Sequence, residues 1–501
     1  MKAETKYKGA LKLSAIGDAL GWMTEFESSK DILQSKFGQN SIDKFHNWEK
    51  TVGGRFNGYI DYLKTGSYSD DTQLLFSVAR SIKPNGKVDH DYFSKAELPS
   101  WLLYSRGAGR TIKNAAQKIE RKSAKWNHNF FTFKAGNNTV DYRESGANGA
   151  AMRILPIALA NFRDIETIKE EVFANSIVTH GHSRAILGAM LFAYAVDLII
   201  PVNPTDFNPE SYIVQIGQDF HQKFSLPFLN RAEYSNWIFE WNKKSKIPFL
   251  EQYNQILNET QEQLRLIYKG LASNYAPEKI LKELGCVAKE TKGSGIATVL
   301  AGIYITCKFY NKPIDGVVYA VNYLGSDTDS IAAFTGGLLG ALHGQSVIPE
   351  KWKAVQDFEY LDITAKRLLA ISEDNYFSVT DKVINKNIRD FKLEKDDYKL
   401  KDKVNFHPLG TGEIVKIDRQ QPLTKGKYNL IVDVVFEIGQ TCRFCKLING
   451  VIPKSNNSKD AIELIKEKVY SAKQNDLIEK LSRMNNEEVN DLIIELLKSL
   501  A

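Results

Sequence analysis

The chain has 501 residues, 43% of them hydrophobic and 25% charged, which is the composition of an ordinary globular protein and excludes a disordered or fibrous one. That length exceeds the size at which single cores stop growing, so one large domain and at least one smaller one are expected. A formal net charge of +6, from 66 basic and 60 acidic residues, permits an anionic ligand without demanding nucleic acid. No stretch reaches the ~18 apolar residues of a membrane span, and the start Met1 to Lys6 leads into no apolar leader. A soluble, cytoplasmic protein with no membrane role is expected. Four cysteines in so long a chain argue against a disulfide framework. Cys442 and Cys445 form a CxxC without a second pair or a nearby histidine, and read as two strand or turn cysteines rather than half a zinc site.

Small and apolar residues at helical spacing predict a first helix over Tyr7 to Trp22. Further helices are predicted over Asp71 to Ile82, Ala150 to Asn161, Ser183 to Leu198, Gly295 to Tyr310 and Ser330 to His343. Few segments in this region alternate like strands, so residues 1–380 are expected to form one all-α domain. Gly336-Gly337-Leu338-Leu339-Gly340-Ala341 places glycine inside a helix, at a cost of roughly 1 kcal/mol per site relative to alanine. Close helix packing would offset that cost, so a compact bundle follows. Two polar, aromatic insertions, near 113–142 and 201–248, read either as surface elaborations or as substrate-facing walls.

After about Asp381 the texture changes. The densely charged run Asp390 to Lys403 reads as a linker, and Gly412 to Phe444 alternates like strands around a Gly439-Gln440 turn. Residues 381–460 are therefore expected to hold a linker and a small β module. The run His407-Pro408-Leu409-Gly410-Thr411-Gly412-Glu413-Ile414-Val415, followed by a Val-Val-Phe strand, resembles the Tudor-like barrels appended to some DNA helicases. A slight basic excess leaves nucleic-acid contact, protein contact and plain stabilisation open for this module. Residues 461–501 carry an apolar stripe of Ile478, Leu481, Val489, Leu492, Ile493 and Leu496, which predicts an amphipathic helical tail for packing or self-association.

Two acid clusters carry the strongest chemical signal: Ser69-Asp70-Asp71-Thr72 and Ser326-Asp327-Thr328-Asp329-Ser330. Each precedes an apolar-periodic run, as a helix cap does, and Ser69 and Ser326 are the expected caps. A cap needs one oxygen, whereas each cluster offers two carboxylates that repel each other without a cation. Together they would make a hard oxygen cage for Mg²⁺-type ions. Three small-residue junctions accompany them: Gly17-Asp18-Ala19-Leu20-Gly21 followed by Glu25-Phe26, Ser145 to Arg153, and Thr179-His180-Gly181-His182-Ser183. A glycine-rich helix entry suits a diphosphate, although glycine at helix ends is also commonplace. A lone histidine such as His180 is ordinarily a satisfied buried group.

The order of these five blocks closely resembles the ADP-ribosylglycohydrolase family, all-helical enzymes that include the dinitrogenase-reductase-activating glycohydrolases and the ADP-ribosyl-acceptor hydrolases. The resemblance spans roughly residues 5–345. It implies an ADP-ribosyl glycohydrolase that reverses ADP-ribosylation of a protein or other acceptor, using two Mg²⁺ ions for which Mn²⁺ can substitute. By motif position, Ser69, Asp70, Asp71 and Asp329 would hold one ion and Asp327, Asp329 and Ser330 the other, with Asp329 bridging. Glu25 would be the gating acid near the reactive ribose, and with Asp71 and Asp329 would carry the catalysis. The loop Ser145, Gly146, Ala147, Asn148 and Gly149 would cradle the diphosphate, with His182 and Ser183 near the ligand.

Three positions depart from the family pattern. Serine replaces threonine at Ser69 and Ser330, which keeps the hydroxyl and frees its rotamer. Ala147 stands where glycine is usual, and His180-Gly181-His182 where His-Pro-His is common. No acid is lost, so an active enzyme is expected. Cleavage at ribose C1 builds positive charge on the ring, which carboxylates around a metal-held ribose can stabilise while a water of lowered pKa attacks. Two other readings stay open: hydrolysis of ADP-ribosylated nucleic acid, and a non-catalytic protein that binds ADP-ribose. The acceptor linkage and the oligomeric state are not encoded in the five blocks.

Overall fold

Two glycine-rich helices that touch backbone to backbone organise the core. In the computed structural model, which describes residues 2–375 and 388–453, the helix Ala3–Trp22 runs antiparallel to the helix Thr328–His343. A Cβ added to Gly17 would stand 2.1 Å from the Ala332 carbonyl oxygen, and one on Gly336 2.1 Å from that of Leu13. Only glycine allows this approach, and the contact it opens offsets glycine's poor helix propensity. The pairing also sets the site: Gly21, at the end of the first helix, abuts Thr328 and Asp329 at the start of the other.

Most predicted helices form close to their expected bounds: Asp70–Ser81, Ser183–Ile199 and Gly295–Lys308. Ala150 to Asn161 differs. It splits into a 3₁₀ helix Asn148–Arg153 and an α-helix Leu155–Ala160, because Pro156 lacks the N–H that would continue a single ladder. The helical domain also holds two short hairpins that its composition hid. One is β1 (Trp48–Val52) with β2 (Tyr59–Leu63); the other is β3 (Thr132–Ala135) with β4 (Asn138–Asp141). The insertion near 113–142 thus supplies a hairpin. The one near 201–248 is helical, and buries Trp237 and Trp241 against Phe249 while Phe239 stays exposed.

The C-terminal module is strand-rich, but it is not the closed Tudor-like barrel that was expected. Strands β5 (Arg389–Asp390), β6 (Lys403–Phe406), β7 (Gly410–Gln420), β8 (Lys427–Phe436) and β9 (Thr441–Asn449) lie in that order in one open sheet. A two-residue β5 offers too little edge to pair with β9. The run Asp390 to Lys403 is not a linker either. Phe391 and Tyr398 are buried, and Asp396 takes bonds from Arg419 at 2.6 Å and from the Tyr428 hydroxyl at 2.9 Å. Cys442 and Cys445 both lie on β9 as free thiols.

This sheet is fastened to the helical domain. Arg443 on β9 bonds Asp433 and, at 2.6 Å, Asp61 on β2, all three buried. Gln420 exchanges two hydrogen bonds with the Ile60 backbone, at 2.8 and 2.9 Å. The Asp357 carboxylate accepts the Thr441 N–H. Among the described residues no helix is long and apolar enough to cross a membrane. The predicted tail helix lies outside the described residues.

Candidate active site

The first acid cluster is held from below by Asp18, a fully buried residue inside the first helix. Its carboxylate accepts the Ser69 N–H at 3.0 Å, the Thr72 N–H at 3.0 Å and the Thr72 hydroxyl at 2.6 Å. Ser69 caps its helix as expected, its hydroxyl accepting the Asp71 N–H at 3.2 Å. With the cap and Asp18 serving the backbone, the Asp70 and Asp71 side chains are left to line a cavity of about 580 Å³.

The second cluster is built differently. Ser326 does not cap; its hydroxyl donates to the Tyr323 carbonyl at 2.7 Å. Asp327 occupies the cap position without bonding its own helix, and accepts instead from the Asn148 amide at 3.3 Å. The Ser330 hydroxyl donates to Asp71 at 2.7 Å, which ties the two clusters together. Carboxylate oxygens of Glu25, Asp327 and Asp329 all lie within 4.8 Å of one another.

So many acids in one wall oppose each other's ionisation. Burial, reinforced by Asp18, pushes Asp70 up to about 7. Asp71 is driven well above its ordinary value by burial and by Asp18 and Asp70. Asp329 is driven up by burial and by Glu25 and Asp327, and Glu25 by burial and Asp327. Protons or a cation can quench that repulsion. An all-oxygen donor set of this kind fits a hard divalent ion.

Across the cavity stands the glycine loop. Ala147, Asn148 and Gly149 line it, beside the cationic side chains of Arg110 and Lys292. Ser145 and Gly146 lie behind the lining, where Gly146 accepts the Gly295 N–H at 3.0 Å and Asn148 donates its own N–H to Gly293 at 2.9 Å. Gly149 presses on a ring: an added Cβ would meet His180 at 2.8 Å. Buried Arg153 donates to the Gly149 carbonyl at 2.7 Å and to the Thr179 hydroxyl at 3.0 Å. That hydroxyl lies 2.8 Å from His180 Nδ1. Burial and Arg153 push His180 down to about 3, so it is neutral.

His182 and Ser183 are not among the lining residues. His182 Nδ1 accepts the Arg184 N–H at 3.0 Å as the cap of its helix, and Ser183 donates to Gln252 at 2.8 Å. They shape the loop from behind, where a Cβ on Gly146 would stand 3.3 Å from the His182 ring. Sequence reasoning missed Asp18, and took His180 for a buried group when it is both satisfied and cavity-lining. One signal pointed to Asp18: it is an acid within the small-residue block Gly17-Asp18-Ala19-Leu20-Gly21, at a buried stretch of the first helix.

Residues 1–377 match the family model described as ADP-ribosylglycohydrolase. Similar proteins include the ADP-ribosylhydrolase ARH3 of Danio rerio, 25% identical over 73% of this chain and 90% of that protein. The ADP-ribosylarginine hydrolase Tri1 of Serratia proteamaculans is 23% identical over 74% of this chain and 81% of its own. A Rhodospirillum rubrum glycohydrolase of ADP-ribosyl dinitrogen reductase is 24% identical over 70% and 90%. The C-terminal sheet lies beyond the matched span.

Proposed function

The chain belongs to the ADP-ribosylglycohydrolase family, and from that premise we propose that it hydrolyses the bond between ADP-ribose and an acceptor, reversing ADP-ribosylation. The observation that carries this reading is the convergence of Glu25, Asp327 and Asp329 within 4.8 Å, in a cavity whose other wall is the glycine loop. In the reaction, the bond from ribose C1 to the acceptor breaks, water oxygen bonds to C1, and a water proton ends on the departing acceptor atom.

Each wall has a share of that work. Ala147, Asn148 and Gly149, with the positive charges of Lys292 and Arg110 nearby, hold the diphosphate; Ser145, Gly146, His182 and Ser183 fix the loop's shape. Neutral His180 lines the cavity without adding charge. Asp329 and Asp71 face the ring where positive charge develops. Glu25 orients the attacking water and takes its proton, a role that its raised pKa suits near neutral pH.

Ser69, Asp70, Asp71, Asp327, Asp329 and Ser330 form the donor set that would hold Mg²⁺, or Mn²⁺ in its place. Such a cation, when bound, supplies the positive charge that grips ribose hydroxyls and eases loss of a proton from water. The test is release of free ADP-ribose from arginine-linked and serine-linked ADP-ribosylated proteins, with Mg²⁺ and with chelator. Release that depends on Mg²⁺ and falls in Glu25→Gln supports the reading. Tight ADP-ribose binding without release from either substrate overturns it.

A further inference from the structure

The acid cavity does not end at the acids. Gly107 lines both it and a second recess of about 460 Å³, walled by Trp22, Lys50 and Arg106 on one side and by Asn429 and Arg443 of the C-terminal sheet on the other. Lys50 in turn lines both that recess and a third groove of about 920 Å³. Phe26, Trp48, Tyr62, Lys64 and, from β7, Lys416 line this groove. Each space shares a lining residue with the next; the second and third, walled by the β1–β2 hairpin and by residues of the sheet, are the trough that adjoins the acid cavity.

The trough is chemically unlike the cavity. Lys64 and Lys416 form no ion pair among the described residues, whereas Lys36 on the rim is held by Glu27 at 2.5 Å and Lys50 lies in the field of Glu25, Asp329 and Asp70. The Lys50 ammonium stands 3.9 Å from the Phe26 ring centre and 5.4 Å from that of Trp22. Phe26 is 62% exposed and Tyr62 49%, unusual for rings of this size on a surface with no partner. Trp22 is 2% exposed, yet its indole N–H lacks an acceptor.

We propose that this trough binds the acceptor side of the substrate, and that the acceptor is a polypeptide segment with carboxylates beside its modified residue. The inference rests on the hydrolase reading and adds the substrate class. The unpaired ammonium groups of Lys64 and Lys416 match carboxylates, and the exposed aromatic rings match apolar side chains. Glu27 and Glu49 in the same walls disfavour a continuous polyphosphate strand. The C-terminal sheet thereby becomes one wall of the acceptor site.

The experiment compares peptides that carry ADP-ribose on arginine or on serine, with acidic or basic flanks, against ADP-ribosyl-arginine and ADP-ribosyl-serine as free amino acids. The full chain should process acidic-flanked peptides with a kcat/KM about 10-fold above basic-flanked ones at low salt. The double variant Lys64→Glu, Lys416→Glu should abolish that preference through KM, and leave kcat and the free amino-acid rates unchanged. Equal kcat/KM for the two flanks, or a preference that survives charge reversal, overturns the proposal. So does an ADP-ribosylated oligonucleotide that is preferred to the acidic peptide and loses its advantage in the variant. If nothing is turned over, the hydrolase reading falls. The trough is then judged by anisotropy of a fluorescent acidic-flanked ADP-ribosylated peptide: a Kd about 10-fold weaker in the variant upholds it, and an unchanged Kd refutes it.

Discussion

The acid cavity and the lysine trough meet at Gly107, yet they are built on opposite rules. The cavity gathers like charges, buries them and fixes each through helix starts: Asp18 holds Ser69 and Thr72, and Ser330 holds Asp71. The trough scatters unpaired cations and exposed rings along strand surfaces. Burial gives the first its chemical force, because charge stabilisation is strongest where water is excluded. Exposure gives the second its breadth, since screened surface charges select without gripping. The two should therefore fail in different ways, one in rate and the other in preference.

The largest effect belongs to the cavity. Asp329→Asn removes one buried carboxylate from the group that faces Glu25 and Asp327 within 4.8 Å, and should lower kcat about 10³-fold, in the range seen for loss of one preorganised electrostatic group. The trough variant changes KM by about 10-fold with kcat unmoved. An Asp329→Asn protein that loses only peptide affinity would erase the distinction between the two regions.

Next comes support from behind. Asp18 bonds the acid cluster through Ser69 and Thr72 and acts on Asp70 and Asp71 through its charge, so Asp18→Asn should weaken Mg²⁺ binding about 10–100-fold, the usual scale for groups that orient ligands. Titration calorimetry checks the affinity. Unchanged Mg²⁺ affinity would reduce Asp18 to a helix-packing residue. Occupancy is also visible in stability: at about 100 times its Kd, Mg²⁺ should add roughly 2.7 kcal/mol, seen as a chelator-reversible rise in Tm.

The same contrast explains what could be read from the chain alone. Ser69 to Thr72 and Asp327 to Ser330 were legible because helix starts leave local signatures, and because surplus acid beside a cap is conspicuous. Asp18 was not, since a single acid inside a helix carries no direction until its neighbours are placed. Ser326 looked like a cap, but its hydroxyl turned back to Tyr323. The run Asp390 to Lys403 passed for a linker because its charges find partners, such as Arg419, only across strands. The trough was invisible for a stronger reason: Phe26, Lys50, Lys64 and Lys416 share no periodicity, and come together only when β7 docks beside the hairpin.

The smallest expected effect lies behind the glycine loop, and it is a matter of pH. Burial and Arg184 push His182 down to about 4, below the ordinary value near 6.5 that it regains on unfolding. A depressed folded pKa means that the unfolded chain binds the extra proton first, so this contribution is full above pH ~6.5 and is lost as pH falls toward 4. The loss should be roughly 2 kcal/mol by pH 5. Asparagine at position 182 keeps a cap that can accept the Arg184 N–H, and does not titrate. His182→Asn should therefore match the parent in Tm at pH 7.5, and decline less steeply between pH 6.5 and 5. His180, pushed lower still, would continue to destabilise both proteins in acid, so the difference between the two pH profiles, rather than either alone, isolates His182. Parallel profiles would mean that the His182 ring gains its proton without loss of its cap, and that the loop tolerates charge at its back.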